Sequence, residues 1–375
     1  MQTRRSFLIG GGAAALLPLM DRLTLAAAPG DNRLVCIILR GGMDGLDVVR
    51  PVGDHAFRIL RPESAADANI DLDGHFAMHP ALAPLAPLYR ERQLSFVHAV
   101  ATPYRERSHF EGQDILEQGG TTRSLNDGWL NRMLELVPKA RAVDIGTGHS
   151  LLLTGKMPVQ NWYPETRVDL KGDSFQFLEG LYADDPLLSR ALAGIETEQM
   201  RSTDIDDTDP GVSNAEVARL AGRFLSAEVR IAAFSINGWD THGQQKMRLA
   251  KQLNELSKSV LALRESLGGA WANTAVVACS EFGRTARLNG AGGTDHGTGG
   301  LAILAGGLLA NGQGGRVLGQ WPGLNSLYED RDLLPTSDLR LYLGSLSSGL
   351  FGLDMSRVAE TVFPGLDINS PLRLI

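Results

Sequence analysis

Five stretches of the chain set carboxylates, imidazoles and a hydroxyl at spacings that could do chemistry. They hold Asp44 in Arg40-Gly41-Gly42-Met43-Asp44-Gly45, Ser108-His109 behind Arg105 and Arg107, Asp240-Thr241-His242, Glu281-Phe282-Gly283-Arg284, and Asp295-His296. Asp240 and His242 stand two apart, so in an extended loop both side chains face the same way and can reach one ion. A mixture of carboxylates and imidazoles favours Zn²⁺, Mn²⁺ or another first-row divalent ion, as one ion or two. The candidate ligands are Asp44, Asp240, His242, Glu281 and His296. The cysteines, Cys36 and Cys279, sit inside apolar runs, which excludes a thiolate site. Ser108 is the candidate nucleophile, with His109 beside it in a catalytic role. Arg284, three residues past Glu281, is placed to hold an oxygen of a transferring group bidentately. A divalent ion next to a hydroxyl at a helix start lowers the pKa of that hydroxyl and neutralises the transferring group, which suits displacement at phosphorus or sulfur. Plainer roles compete: Ser108 as a helix N-cap, and Asp44 as a turn residue.

These residues need a rigid frame. Thr274 to Cys279 is an apolar run of β-branched and small side chains, the mark of a strand buried on both faces, and it stops at Ser280-Glu281. Leu34–Leu39 empties into the Asp44 loop, Leu94–His98 precedes Ser108, Val229–Ser235 precedes Asp240, and Leu301–Leu304 follows His296. The candidates therefore gather at strand ends, where open α/β sheets bind their ligands. Helices are predicted over 81–92, from Ser108 to about Gln118 with a stop at Gly119-Gly120, over 126–136 and 216–227, along the leucine-spaced stretch 244–267, and after Thr336-Ser337-Asp338. The expected architecture is a three-layer α/β/α arrangement with a mostly parallel central sheet. One domain is expected over 29–375, with a covering subregion at about 147–213 that includes an exposed acidic loop at 204–210. Residues 51–80 read as a surface excursion in which His75 and His79 are structural.

The formal charge of −7 argues against nucleic acid as a partner. Thr3-Arg4-Arg5-Ser6-Phe7-Leu8, a short apolar core and Ala26-Ala27-Ala28 read as a twin-arginine export signal over 1–28, with the export machinery as a partner. The apolar core is about half the ~20 residues needed to cross a bilayer, and no later stretch reaches that length, so no integral membrane span is expected. The mature chain is expected in the periplasm or outside the cell, its two buried thiols unpaired. Composition says nothing of the oligomeric state.

The twin-arginine start together with LRGGMDGLD, RSHFEGQD, NGWDTHGQQ, SEFGRT and GGTDHGTGG resembles the bacterial domain of unknown function 1501 family over nearly the whole mature chain. The layout is more distantly similar to the alkaline phosphatase, sulfatase and phosphopentomutase superfamily. In that resemblance Asp44 matches the carboxylate after the first strand and Ser108 the nucleophile. Asp240 with His242 resembles one metal-binding pair, and His296 the last histidine motif of phosphopentomutases. The chain departs from the pattern at Glu281-Phe282, where the superfamily carries Asp-His, and in the short spacing of 240 and 242. A single-metal site on Asp240, His242 and His296, or one in which His109 substitutes for the missing ligand, is compatible with that departure. The resemblance implies a metal-dependent hydrolase of a small-molecule or envelope-derived anionic ester, phosphate or sulfate. The alternative is a catalytically degenerate relative that binds a periplasmic or envelope ligand.

Overall fold

The computed structural model describes residues 31–146, 150–162, 212–368 and 372–375. The export signal, most of the covering subregion and the acidic run at 204–210 lie outside the described residues.

Among the described residues the central sheet has nine strands: β1 Arg33–Arg40, β2 Leu94–Ala101, β3 Ala142–Ile145, β4 Gln160–Trp162, β5 Ile231–Asn237, β6 Thr274–Cys279, β7 Gly300–Ala305, β8 Val317–Leu318 and β9 Ser337–Asp338. Their order is β8-β2-β7-β6-β1-β5-β3-β4, with β9 also on β2. All pairings are parallel except those of β7, which runs antiparallel to β2 and β6. Along β1, Val35, Ile37 and Leu39 enter one core and Leu34, Cys36 and Ile38 the other, as the two-residue period of a strand buried on both faces requires.

Helices cover each face. Against the first core lie α4, Asn214–Ser226, and α5, Gln245–Leu267, whose Leu249, Leu253, Leu256, Val260, Leu263 and Leu267 form the apolar stripe. Against the second lie α3, Trp129–Leu136, and α6, Leu339–Phe351, whose start is capped by the Asp338 carboxylate accepting from Arg340 N at 2.9 Å. The architecture is thus the expected three-layer α/β/α. Two further helices, α1 Gly45–Val48 and α2 His109–Gln118, start beside the C-terminal ends of β1 and β2. Gly119 ends α2 at φ 68, the left-handed stop that Gly119-Gly120 announced.

Two expectations change. The helix predicted over 81–92 is a 3-10 turn over Pro80–Leu85 followed by a short α-helix over Ala86–Arg90, because Pro80, Pro84 and Pro87 cannot donate to an α-ladder. Residues 51–80 are more than a surface excursion. Val49–Arg50, Ala77–Met78 and Ile70–Asp71 form a small antiparallel sheet, and Arg61 from this region is fully buried beneath the sheet edge. His79 caps the 3-10 turn, its Nδ1 accepting from Ala81 N at 3.0 Å. Cys36 and Cys279 are buried free thiols. Among the described residues no helix is long and apolar enough to cross a membrane.

Candidate metal centre

Because β7 is antiparallel to β6, the connection 280–299 leaves and re-enters the sheet at one edge. That edge also receives the exits of β1, β2 and β5. Two glycines let these loops touch: a Cβ on Gly41 would lie 2.5 Å from Asp240 N, and one on Gly293 would lie 2.2 Å from the carbonyl carbon of His242. Only a residue without a side chain permits such approaches. Trp239, fully buried, anchors the β5 exit just before Asp240.

Three imidazoles converge here, and their hydrogen bonds fix their tautomers. His109, first residue of α2, has Nδ1 2.7 Å from Glu281 Oε1. His296 has Nδ1 2.9 Å from the Arg107 carbonyl, and His242 has Nδ1 3.1 Å from Asp295 Oδ1. A carbonyl or carboxylate oxygen only accepts, so each Nδ1 carries the proton and each neutral ring presents its lone pair at Nε2. All three Nε2 atoms face Asp240: His109 at 3.6 Å from Oδ2, His242 at 3.1 Å and His296 at 3.4 Å from Oδ1. The ligand atoms of His109, Asp240 and His296 lie within 4.8 Å of one another. The Nε2 atoms of His242 and His296 are 2.9 Å apart, a separation at which two lone pairs repel unless a proton or a cation lies between them. His109 Nε2 is buried with no hydrogen-bond partner at all.

An orphaned buried lone pair, three imidazoles and a carboxylate make a donor set that fits Zn²⁺ or a similar ion. The oxygen acceptors on the three Nδ1 atoms are the outer partners such ligands ordinarily have. The carboxylates are held ionised. Burial works against Glu281, yet donors from His109, Gln113 and Ser280 bring its pKa below the ordinary value. Burial likewise opposes Asp240, outweighed by Arg284 and the neighbouring imidazoles. The Asn289 amide lowers Asp295. The hydrogen bond to Glu281 raises His109 against its burial, while burial lowers His296 against the Arg107 carbonyl.

The structure brings together Asp240, His242 and His296, and adds His109 to them. The other expected residues have different work. Asp44, expected as a metal ligand, is 1% exposed and ion-paired to Arg61 Nη1 at 2.9 Å, caps α1 at Asp47 N, and accepts from Gln245; its charge is already neutralised. Glu281, also expected as a ligand, lies behind His109, with Oε1 taking Gly41 N at 2.9 Å and Gln113 Nε2 at 3.1 Å and Oε2 taking Ser280 Oγ at 2.8 Å. Both of its oxygens are engaged by these donors and by the His109 ring.

Arg284, expected to hold substrate, is 1% exposed. It donates to the carbonyls of Gly42 at 2.6 Å, Thr294 at 3.0 Å and Gly41, and pairs with Asp240. It is the tie between three loops and has no free edge. Arg105 folds back on the Thr102 and Tyr104 carbonyls, and Arg107 pairs with Glu329 and Asp332, so the two guanidiniums that precede Ser108 in the chain are turned to internal partners. Ser108 occupies the N-cap position of α2, but its side chain makes no cap bond. Phe282, 5% exposed, packs against both His109 and His296 with ring centroids 4.9 and 5.1 Å away, an apolar wall where a further ligand would stand. Sequence reasoning missed Arg61, Gln245 and Asp332. The Gln245 amide alone joins Asp44 and Asp47 on its nitrogen to the Thr241 and Thr294 hydroxyls on its oxygen.

A family model described as "Protein of unknown function (DUF1501)" matches residues 97–344. No curated protein matches the sequence. Among solved structures, the chain is similar to the zinc complex of the C-terminal periplasmic domain of EptC from Escherichia coli, at 10% identity and TM-score 0.44 over 89% of this chain and 87% of that one. A protein in the alkaline phosphatase superfamily from Vibrio parahaemolyticus gives 12% identity and TM-score 0.42 over 92% and 72%. The alkaline phosphatase of the Antarctic bacterium TAB5 gives 11% identity and TM-score 0.33 over 74% and 92%.

Proposed function

The chain belongs to the DUF1501 family of proteins of unknown function, so its activity has to be argued from the site, and we propose that it is an exported, metal-dependent hydrolase of a phosphate or sulfate ester. The observation that carries this reading is the buried, partnerless Nε2 of His109, aimed at the carboxylate that two other imidazoles also face. His109, Asp240, His242 and His296 would hold one ion, Zn²⁺ or Mn²⁺. Bound there, it supplies Lewis acidity and positive charge opposite the group being transferred.

The protein's own residues do the rest. The Ser108 hydroxyl, uncommitted to the helix it precedes, stands next in the chain to a ligand and is the nucleophile in this reading. The first-turn N–H groups of α2 point the positive end of a ten-residue helix toward an arriving anion. Glu281 keeps His109 in the tautomer that presents Nε2, Arg284 holds Asp240 in place, and Phe282 keeps water off one side of the imidazoles. The twin-arginine signal over 1–28 would export the chain already folded, metal included, as a single domain over 29–375 with its covering subregion, to act outside the cytoplasm on a small-molecule or envelope-derived ester.

A second reading, a catalytically degenerate protein that binds an envelope ligand, is favoured by one observation: Arg105, Arg107 and Arg284 are all spent on internal contacts. Metal analysis of the purified protein with a screen of chromogenic phosphate and sulfate esters separates the two. The hydrolase reading expects one equivalent of metal and turnover of some ester, with Ser108→Ala keeping the metal and losing about a thousandfold or more in kcat. Full metal occupancy without turnover of any ester, and a Ser108→Ala variant indistinguishable from wild type, would favour the second.

A further inference from the structure

His296 is gripped from two sides, by the segment before α2 and by the turn at 328–332. Its Nδ1 donates to the Arg107 carbonyl at 2.9 Å, and its own carbonyl accepts from Arg331 Nη2. Both guanidiniums belong to the same acid. Asp332, whose side chain is fully buried, takes Arg107 Nη2 at 2.9 Å and Nε at 3.0 Å on one oxygen and Arg331 Nε at 3.0 Å on the other. Asp332 is itself fastened, its main chain bonded to Tyr328 in both directions at 2.9 Å and bridged to Thr285 in the connection that carries His296. Glu329 takes the outer side of Arg107.

The backbone in this corner is unusual. Arg107, Glu329 and Asp330 have φ of 62, 52 and 54, in the left-handed region that side-chain-bearing residues avoid. Such conformations persist only where the surroundings over-determine them, and they collect at functional sites. At Arg107 the turn presents a carbonyl to His296 and hands the chain to Ser108 and His109, so one residue serves two of the imidazoles.

We infer that Arg107 and Asp332 are positioning residues for the metal centre: their ion pair holds residue 107 left-handed, and the carbonyl so placed fixes the ring direction and Nδ1–H tautomer of His296. This rests on the metal reading above. The test is zinc affinity, by competition with a chromophoric chelator, alongside the melting temperature of the metal-free protein. Arg107→Ala removes the guanidinium and leaves a side chain in the left-handed region; Arg107→Gly removes the guanidinium and relieves the conformation. Arg107→Ala and Asp332→Asn are expected to weaken zinc binding by about 10–100-fold, the usual cost of losing an outer partner, with the glycine variant recovering part of the loss. If Asp332→Asn does not fold, the Arg107 pair decides, since that side chain is 20% exposed and its removal leaves a small space.

Wild-type zinc affinity in Arg107→Ala overturns the inference. So does an affinity loss equal in the alanine and glycine variants and matched by their metal-free melting temperatures, which would mark a purely structural role. A wild-type protein that takes up no zinc sinks the metal reading first and this inference with it.

Discussion

Replacing Glu281 with glutamine changes one charge and almost no shape, which makes it the sharpest probe of the centre. The amide oxygen can take the place of Oε1, keeping the bonds from His109 at 2.7 Å, Gly41 at 2.9 Å and Gln113 at 3.1 Å. The amide nitrogen then falls 2.8 Å from Ser280 Oγ, which accepts and turns its own proton to the Leu39 carbonyl. What is lost is the charge on the His109 bond. Charge-assisted hydrogen bonds are about twice as strong as neutral ones, so the imidazole is held less firmly and its Nε2 is less basic. The expected cost is about 10–100-fold in zinc affinity, or roughly 1.4–2.7 kcal/mol. The metal-free protein adds an independent signature. Glu281 is lowered from 4.5 in the folded state, so its contribution is present above that value and lost as pH falls through the folded one. His109 is raised from 6.5, so its contribution is complete below 6.5 and lost as pH rises through the folded value. The pair therefore stabilises the fold most between those two ordinary values, and Glu281→Gln should flatten that maximum. Chelator competition with zinc near neutral pH and urea midpoints of stripped protein from acid to alkaline pH measure the two effects. Zinc affinity within twofold of wild type, with unaltered midpoints across that window, would refute the assignment of Glu281 as the group that orients His109.

Three other substitutions probe the frame. Gly293→Ala sets a Cβ 2.2 Å from the His242 carbonyl carbon, so it should displace His242 and lower zinc affinity by at least about tenfold in a zinc titration, and an unchanged affinity would show that the two loops do not need this approach. Arg284→Gln strips the tie from three loops and leaves Asp240 without its cation; urea unfolding should show a loss of about 3–5 kcal/mol, and a loss under about 1 kcal/mol would contradict the burial argument. Asp144 is pushed up to about 7, by burial first and then by the charge of Glu117. Folding thus favours its protonated form, and stability is lost as pH rises from its ordinary value of 3.8 through about 7. Asp144→Asn should be more stable than wild type above that pH by on the order of a few kcal/mol, reduced by partial exposure, and equal to it in acid; parallel pH profiles of the urea midpoint would refute this.

The frame was legible because its signals are local. The run Thr274–Cys279 is the observed β6 residue for residue, since a strand buried on both faces must be apolar throughout. The leucine stripe of α5 and the Gly119 stop are equally local. The direction of β7 was not, because nothing in Leu301–Leu304 encodes which way a buried strand runs; its neighbours decide that. At the site, the convergence of Asp240, His242 and His296 could be anticipated, but Glu281, expected among them, lies behind His109, and it is His109 that faces Asp240. Both belong to strand-end stretches of suitable chemistry. What separates them is depth: the Glu281 side chain is fully buried directly after β6, whereas His109 begins a helix that reaches over it. The fate of Asp44 depended on Arg61, a residue from an irregular region with no periodic signal. Arg284 shows the same limit, because a guanidinium that serves carbonyls of three separate loops looks in sequence like one that serves a substrate.

The burial of Asp44 against Arg61 has an electrostatic consequence. With Asp44 neutralised by Arg61, the carboxylates left around the centre are Asp240, Glu281 and Asp295, each held ionised, and among them Arg284 is the guanidinium paired to Asp240. With neutral imidazoles that is an excess of negative charge, which repels an anionic ester even though the α2 N-terminus points favourably. A divalent ion cancels that excess and sets its own charge opposite the anion, so anion affinity should depend on metal. Inorganic phosphate should bind the zinc-loaded protein in a calorimeter and should not bind the stripped protein detectably at the same pH and low salt, where screening is weakest. Equal phosphate binding by both forms would mean that the anion is recognised elsewhere, by groups other than these four ligands, and the ester-hydrolase reading would lose its substrate site while the metal centre stood.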